Sequence, residues 1–418
     1  MIEAKESKIQ HDELVDSTRL INQESTYGAR NYCPIPIVIT KAEGVHVWDV
    51  EGRRYIDMLS SYSALNLGHR HPTVINAAME QMGRVTLTSR AFYNDKLGPF
   101  LKKLTGLAAM EMALPMNTGA EAVETGIKLA RRWAYRKKKI PAERAEIIVC
   151  ARNFHGRTTT IVGFSTDEDS RSGFGPFTPG FKIIPYNDVN ALEAAITPNT
   201  AAFLVEPIQG EAGVIVPSDG YLRKVREICT AHNVLLMLDE IQTGFCRTGR
   251  MFCFQHEAIQ PDILLLGKAL GGGLMPVSAV VSSREIMSVF TPGSHGSTFG
   301  GNPLACAIAT ATLDVLLDEK LAQRSAELGA YFMKRLRELN NPNVKEIRGK
   351  GLLMAIELKE EAGSARRYVE ALMRNGLLAK ETHETVIRFA PPLTISKEEI
   401  DTAVEIILES LIPLQIPV

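Results

Sequence analysis

Short unbroken apolar runs punctuate the middle of the chain: Ile147-Ile148-Val149-Cys150, Ala202-Phe203-Leu204-Val205, Val234-Leu235-Leu236-Met237-Leu238, Ile263-Leu264-Leu265-Leu266 and residues 277–281. Runs of this length, bounded by turn signals, predict strands buried on both faces, as in a parallel sheet. Helical stretches alternate with them from about Leu65 to Val289, which predicts right-handed crossover units. Ahead of this region a polar arm runs to about Thr26, followed by short strands at 45–49 and 55–59. From about Glu327 the pattern changes to a smaller α+β lobe. Strands are expected there at 352–356 and 386–389, with an amphipathic helix over 396–411 behind a serine N-cap.

Composition narrows the class. A chain of 418 residues exceeds one ordinary core, so two or three lobes are expected. With 45% hydrophobic and 23% charged residues, the balance is that of a globular protein in water. A formal net charge of −1 carries no electrostatic footprint for nucleic acid. The basic run from Arg131 to Lys139 reads as a solvated helix end. Six cysteines contain no Cys-x-x-Cys, so neither zinc nor a redox pair is signalled. Gly68-His69-Arg70-His71-Pro72 reads as a turn, and no metal site is expected. Residues 1–16 resemble no secretory or transit signal, and no apolar stretch approaches a membrane span, so cytoplasm is the expectation.

Two of the apolar runs end on chemistry. Asp239 follows one, and Lys268 follows another just before Gly271-Gly272-Gly273. Open α/β sheets bind ligands beyond the carboxyl ends of their strands, so an amine and a carboxylate are expected at one crevice. A lysine able to form a Schiff base, with an aspartate able to hold a protonated pyridine nitrogen, suits pyridoxal phosphate (PLP). Taken singly, the lysine reads as solvated and the Asp239-Glu240 pair as a helix cap or ion-pair partner. Asn117-Thr118-Gly119-Ala120-Glu121 precedes a helix predicted over 122–135; it reads as an N-cap or as an anion site. Gly267-Lys268 is followed by alanine, so no Walker A loop is present, and no Gly-x-Gly-x-x-Gly opens a βα unit. Phe154 is suited to stacking on a ring and Arg157 to bidentate carboxylate binding, beside ordinary roles in packing and surface pairing.

The ordered set Asn117-Thr118-Gly119, Asn153-Phe154-His155-Gly156-Arg157, Glu206-Pro207, Asp239-Glu240-Ile241-Gln242-Thr243-Gly244 and Lys268-Ala269-Leu270 resembles the class III PLP-dependent aminotransferases. The resemblance covers nearly the whole chain. It implies fold type I, an α/β fold whose large domain has a mostly parallel sheet flanked by helices. Residues 65–326 would form that domain; 1–64 and 327–418 would form a smaller α+β domain. Within the family, Tyr27-Gly28-Ala29-Arg30-Asn31-Tyr32, Thr88-Ser89-Arg90-Ala91-Phe92-Tyr93, 205–213, 295–303 and 387–392 are most similar to members acting on ornithine. His155 departs from this, since some of those members carry tryptophan there.

The resemblance implies a role for each matched position. Lys268 would hold PLP and move a proton; Asp239 would keep the pyridine nitrogen protonated. Gln242 would bond the cofactor's phenolic oxygen, Phe154 would stack on its ring, and backbone at Gly119 and Ala120 would bind its phosphate. Thr298 would reach the phosphate in a second subunit, which requires a homodimer with shared sites. Tyr32 and Arg157 would hold the α-carboxylate end of ornithine, with Tyr62 lining the same cavity. Glu211 would mask Arg388 until 2-oxoglutarate or glutamate needs it. Rival readings are a relative acting on N-acetylornithine or 4-aminobutyrate, an aminomutase, and a non-catalytic protein of the same fold.

Overall fold

The computed structural model describes residues 16–411. Its centre is a seven-stranded sheet in the order Met112–Met116, Ser278–Ser282, Ile263–Leu266, Leu235–Asp239, Thr200–Val205, Glu146–Cys150, Phe181–Ile184. Ser278–Ser282 pairs antiparallel with both of its neighbours, and the remaining pairings are parallel. Six strands therefore run one way. All five runs read from the sequence are strands of this sheet, with ends displaced by at most two residues. Thr200–Val205, Leu235–Asp239 and Ile263–Leu266 are buried throughout, which is why their sequences do not alternate.

Two strands have no counterpart in the sequence reading. Met112–Met116 and Phe181–Ile184 are the sheet edges and only partly buried; Pro115 and Lys182 interrupt their apolar character. The helix expected from Ala122 begins three residues earlier, at Gly119, because Thr118 and Glu121 close a capping box around its first turn. It ends at Trp133, and one π turn, Ala134–Lys138, carries the basic run. Part of the polar arm is ordered differently from the expectation. Ser17–Tyr27 is a helix capped by Asp16, exposed along its length; residues 1–15 lie outside the described region.

Two smaller sheets flank the large one. Ile39–Glu43, His46–Asp49, Arg54–Asp57 and Leu377–Leu378 form one, the last pairing in parallel with Arg54–Asp57. Val344–Lys350, Leu353–Leu358, Val386–Phe389 and Lys380–Thr382 form an antiparallel second. The closing helix, Lys397–Ser410, has the expected serine cap, with Glu399 completing the box.

Three chain segments meet tightly beside the central sheet. Gly351, at φ +60°, lies where an added Cβ would stand 2.4 Å from the Thr248 carbonyl carbon. The Gly351 carbonyl in turn lies 2.2 Å from where a Cβ on Gly329 would stand. Gly351→Ala must adopt a left-handed backbone and displace main chain rather than a flexible side chain. It is expected to cost about 2–4 kcal/mol, combining overpacking with left-handed strain. A urea unfolding midpoint measures this; a loss below about 0.5 kcal/mol, the ordinary range for harmless substitutions, would contradict it.

Candidate functional site

Where the parallel strands end, their loops surround a cavity of about 210 Å³. Its lining includes Gly119, Ala120, Phe154, His155, Glu206, Glu211, Asp239, Ile241, Gln242 and Lys268. This follows from the topology. Met112–Met116, Glu146–Cys150, Thr200–Val205, Leu235–Asp239 and Ile263–Leu266 share one direction, so their carboxyl ends open on one edge.

Lys268 opens a single 3₁₀ turn, Lys268–Gly271, with φ +42°. A non-glycine residue held there stores about 1–2 kcal/mol of strain, and it is the residue whose amine lines the cavity. Burial lowers the Lys268 pKa and Arg388 adds to this, while Glu211 and Asp239 oppose it; the net direction is down. A larger neutral fraction favours nucleophilic attack and proton abstraction.

Asp239 is the last residue of its strand and is buried. Its Oδ1 accepts from the Ile241 N–H at 3.0 Å and its Oδ2 lies 2.6 Å from His155 Nδ1. Burial works against a charged His155, but its hydrogen bond with Asp239 and the charges of Asp239 and Glu206 outweigh this and raise its pKa. Glu206 accepts from the Phe154 and Gly210 N–H groups at 3.1 and 3.4 Å. Burial pushes its carboxyl up to about 7, with His155 opposing and Asp239 adding. The sequence reading quoted His155 and Glu206 in its motifs but gave neither a role. Nothing in the sequence signals that these two and Asp239 meet.

A second cavity adjoins the first. It is lined by Tyr62, Arg152, Phe154, Arg157, Glu211, Glu381, Thr382 and Arg388 among others, and it shares Phe154 and Glu211 with the first. Arg388 is fully buried on the strand Val386–Phe389, and its Nη1 donates to Glu211 Oε1 at 2.6 Å. Burial alone would raise Glu211. The charges of Arg388 and Lys268, with hydrogen bonds from Arg388 and Gln242, bring its carboxyl down to about 2. The Arg388 guanidinium also lies 5.0 Å from the centre of the Tyr62 ring, and that of Arg157 lies 5.8 Å from the centre of the Phe154 ring.

Gln242 joins the two spaces. Its Nε2 donates to Glu211 Oε1 at 3.1 Å and to the Tyr62 carbonyl at 3.4 Å, and its buried Oε1 has no partner. An added Cβ on Gly210 would stand 1.4 Å from that Oε1, so a side chain there would push the Gln242 amide aside.

Two expected residues lie elsewhere. Tyr32 is 77% exposed and lines a third cavity, between the helix Ser17–Tyr27 and residues 28–39. Thr298 is exposed and lines none of these spaces. The other ten expected site residues line one or both of the adjoining cavities.

The donor set fits PLP. An amine, a buried carboxylate, a half-exposed aromatic ring and a helix N-terminus face one cavity, which the orphaned Gln242 oxygen also adjoins. A helix start attracts a phosphate because its first N–H groups have no partner within the helix.

Known proteins resemble the chain over nearly its whole length. A family model described as aminotransferase class-III matches residues 27–411. The ornithine aminotransferase of Brevibacillus brevis is 62% identical over 392 residues, covering 94% of this chain and 98% of that one. Among solved structures, the ornithine aminotransferase of Toxoplasma gondii superposes with a TM-score of 0.94 at 49% identity, covering 96% of each chain. The acetylornithine aminotransferase of Elizabethkingia anophelis gives 0.89 at 52% identity, covering 96% of this chain and 100% of that one.

Proposed function

The chain belongs to the class-III aminotransferases, and from that premise we propose that it moves the δ-amino group of L-ornithine to 2-oxoglutarate. The products are L-glutamate 5-semialdehyde and L-glutamate, formed in two half-reactions at one site. The cofactor is pyridoxal 5′-phosphate. The observation that carries the reading is that Lys268, Asp239 and the Glu211–Arg388 pair line one connected space.

When bound, PLP supplies an electron sink for the pair released from a substrate C–H bond. Lys268 would hold it through the amine, and the Nζ freed when substrate takes its place would carry the proton between the two carbons on either side of the substrate nitrogen. Asp239, fixed by His155 and Ile241, holds a proton on the ring nitrogen. Phe154 would cover a ring face, Gln242 would donate to the phenolic oxygen with its amide turned so that Nε2 takes the place of the orphaned Oε1, and Gly119 and Ala120 would bind the phosphate through backbone N–H groups.

Ornithine presents a cation to the reacting centre and keeps its α-carboxylate remote; glutamate presents its α-carboxylate at that centre. One cavity accepts both if its cation can be covered. Glu211 covers Arg388 in the conformation described. With the pair closed, Tyr62 and Arg157, which line the second cavity, hold the far end of ornithine, and Tyr32 would join them from the segment beside that wall. With Glu211 swung away, Arg388 takes the α-carboxylate of glutamate and Arg157 its side-chain carboxylate.

Met79, Met82, Val85, Leu87, Phe92, Tyr93 and Phe299 leave much apolar surface exposed. Where such residues gather into one patch, it marks an interface. They support a homodimer in which Thr298 reaches the partner's cofactor phosphate. Division into a large domain over 65–326 and a small one from 1–64 and 327–418 belongs to the same reading, as does a cytoplasmic location; among the described residues no helix is long and apolar enough to cross a membrane.

A panel of amine donors with 2-oxoglutarate tests the substrate. Ornithine should exceed N-acetylornithine and 4-aminobutyrate in kcat/KM by at least about tenfold, a difference of roughly 1.4 kcal/mol in transition-state binding. Its product should be trapped in cyclic form. Faster turnover of either rival donor would transfer the assignment to that donor.

A further inference from the structure

We propose that Arg366 is a positioning residue for ornithine: its guanidinium ties the segment carrying Tyr32 to the wall of the substrate cavity. The inference rests on the reading of Tyr32 given above.

Residues 28–36 form no helix or strand, and Ile35 packs against the main core. Arg366 holds the backbone of the segment from outside. Its Nη1 donates to the Cys33 carbonyl at 3.0 Å and its Nη2 to the Pro34 carbonyl at 2.7 Å. The same Nη1 reaches Glu381 Oε1 at 3.2 Å, and Nε donates to Glu370 Oε1 at 2.8 Å. Glu381 lines the cavity that holds Arg157 and Arg388. One planar group thus joins the two residues after Tyr32 to that wall.

The choice of residue supports this. Arg366 is the second residue of the helix Ala365–Arg374, where the helix dipole disfavours a cation. A forked guanidinium spans two successive carbonyls and two carboxylates, which a single ammonium does not. The Tyr62 phenol, raised mainly by burial, also feels Tyr32 and Glu381, so Tyr32 stands close to the cavity wall although it does not line the cavity.

The test uses the PLP-loaded full chain, with Arg366→Gln, Tyr32→Ile and the double variant. Ornithine turnover and the glutamate half-reaction are measured separately. Arg366→Gln should raise KM for ornithine about tenfold with kcat within about twofold, since misplacing a binding group by ~1 Å costs up to ~100-fold. The glutamate half-reaction, which does not use Tyr32, should change by less than about twofold. In the Tyr32→Ile background, Arg366→Gln should add nothing, as residues acting through one another are non-additive. Arg366→Lys should recover part of the loss and serves in its place if the glutamine variant does not fold.

The inference is overturned if Arg366→Gln leaves ornithine KM unchanged while Tyr32→Ile raises it. It is equally overturned if the two effects add in full, or if ornithine and glutamate reactions fall together; in each case the reading of Tyr32 survives. If Tyr32→Ile itself leaves ornithine KM unchanged, that reading fails and the inference falls with it.

Discussion

Lys268→Ala is expected to abolish amino transfer between ornithine and 2-oxoglutarate, with kcat falling by about 10⁴-fold or more. Removing a positioned proton carrier alone costs roughly 10²–10⁴-fold, and this variant also loses the amine that holds the cofactor. Among the described residues no other lysine lines the cavity that holds Asp239; Lys380 lines the adjoining one, paired with Glu381. The visible absorbance of the lysine-bound cofactor should vanish when the variant is mixed with PLP, while near-ultraviolet circular dichroism stays unaltered. Alanine inherits the φ of +42° without adding bulk, so the fold should tolerate it. Retention of activity within about 100-fold, a smaller loss than the range expected for losing a proton carrier alone, would remove Lys268 from the chemistry. Absence of that absorbance from the unaltered protein mixed with PLP, with no amino transfer, would instead favour the reading of the chain as a non-catalytic protein.

Arg247→Met is expected to cost about 3–5 kcal/mol of stability, a large part of the 5–15 kcal/mol typical of a folded domain. Arg247 is fully buried. Its Nη1 donates to the carbonyls of Leu352 and Pro391 at 3.0 and 2.5 Å, and its Nη2 to Asn66 Oδ1 at 2.6 Å. Asn66 in turn donates to the Phe245 carbonyl at 2.8 Å. One cation therefore fastens residues 245–247 to parts of the chain before and after the central sheet. Burial brings its pKa down to about 9, with Asp57 opposing, so it remains charged at neutral pH. Replacing both members of a buried ion pair by apolar groups is often harmless, but here the acceptors stay. Methionine fills the volume and leaves three buried oxygens unsatisfied, each worth about 1–3 kcal/mol. Urea unfolding in the presence of saturating PLP measures the loss. A change below about 1 kcal/mol would show that water replaces the guanidinium.

The chemistry was more legible in the sequence than the buried Arg247. Asp239 and Lys268 announce themselves because each closes an apolar run that can only be a buried strand, and a parallel sheet delivers such ends to one edge. Phe154, Gln242 and Gly119 could be assigned only through their resemblance to a family. Arg247 carried no signal at all. Its neighbours Thr-Gly-Arg and Phe-Cys read as an ordinary turn, and its partners lie 105, 144 and 181 residues away. The edge strands escaped for a related reason: pairing on one side relaxes the demand for apolar residues, so the pattern that reveals a central strand is absent.

The sequence by itself determined five of the seven strands of the central sheet, its mostly parallel character, the amine and carboxylate at the ends of two of them, and the family. Those follow from local hydrophobic pattern and from motifs a few residues long. Only the tertiary structure decided that Glu211 covers Arg388, that His155 backs Asp239, and that Arg366 holds the Tyr32 segment. Each of these is a contact between residues 84 to 333 positions apart. A charge carries no mark in the sequence of which distant charge it will meet; that is fixed by packing, when burial makes an unpaired ion too costly to leave alone.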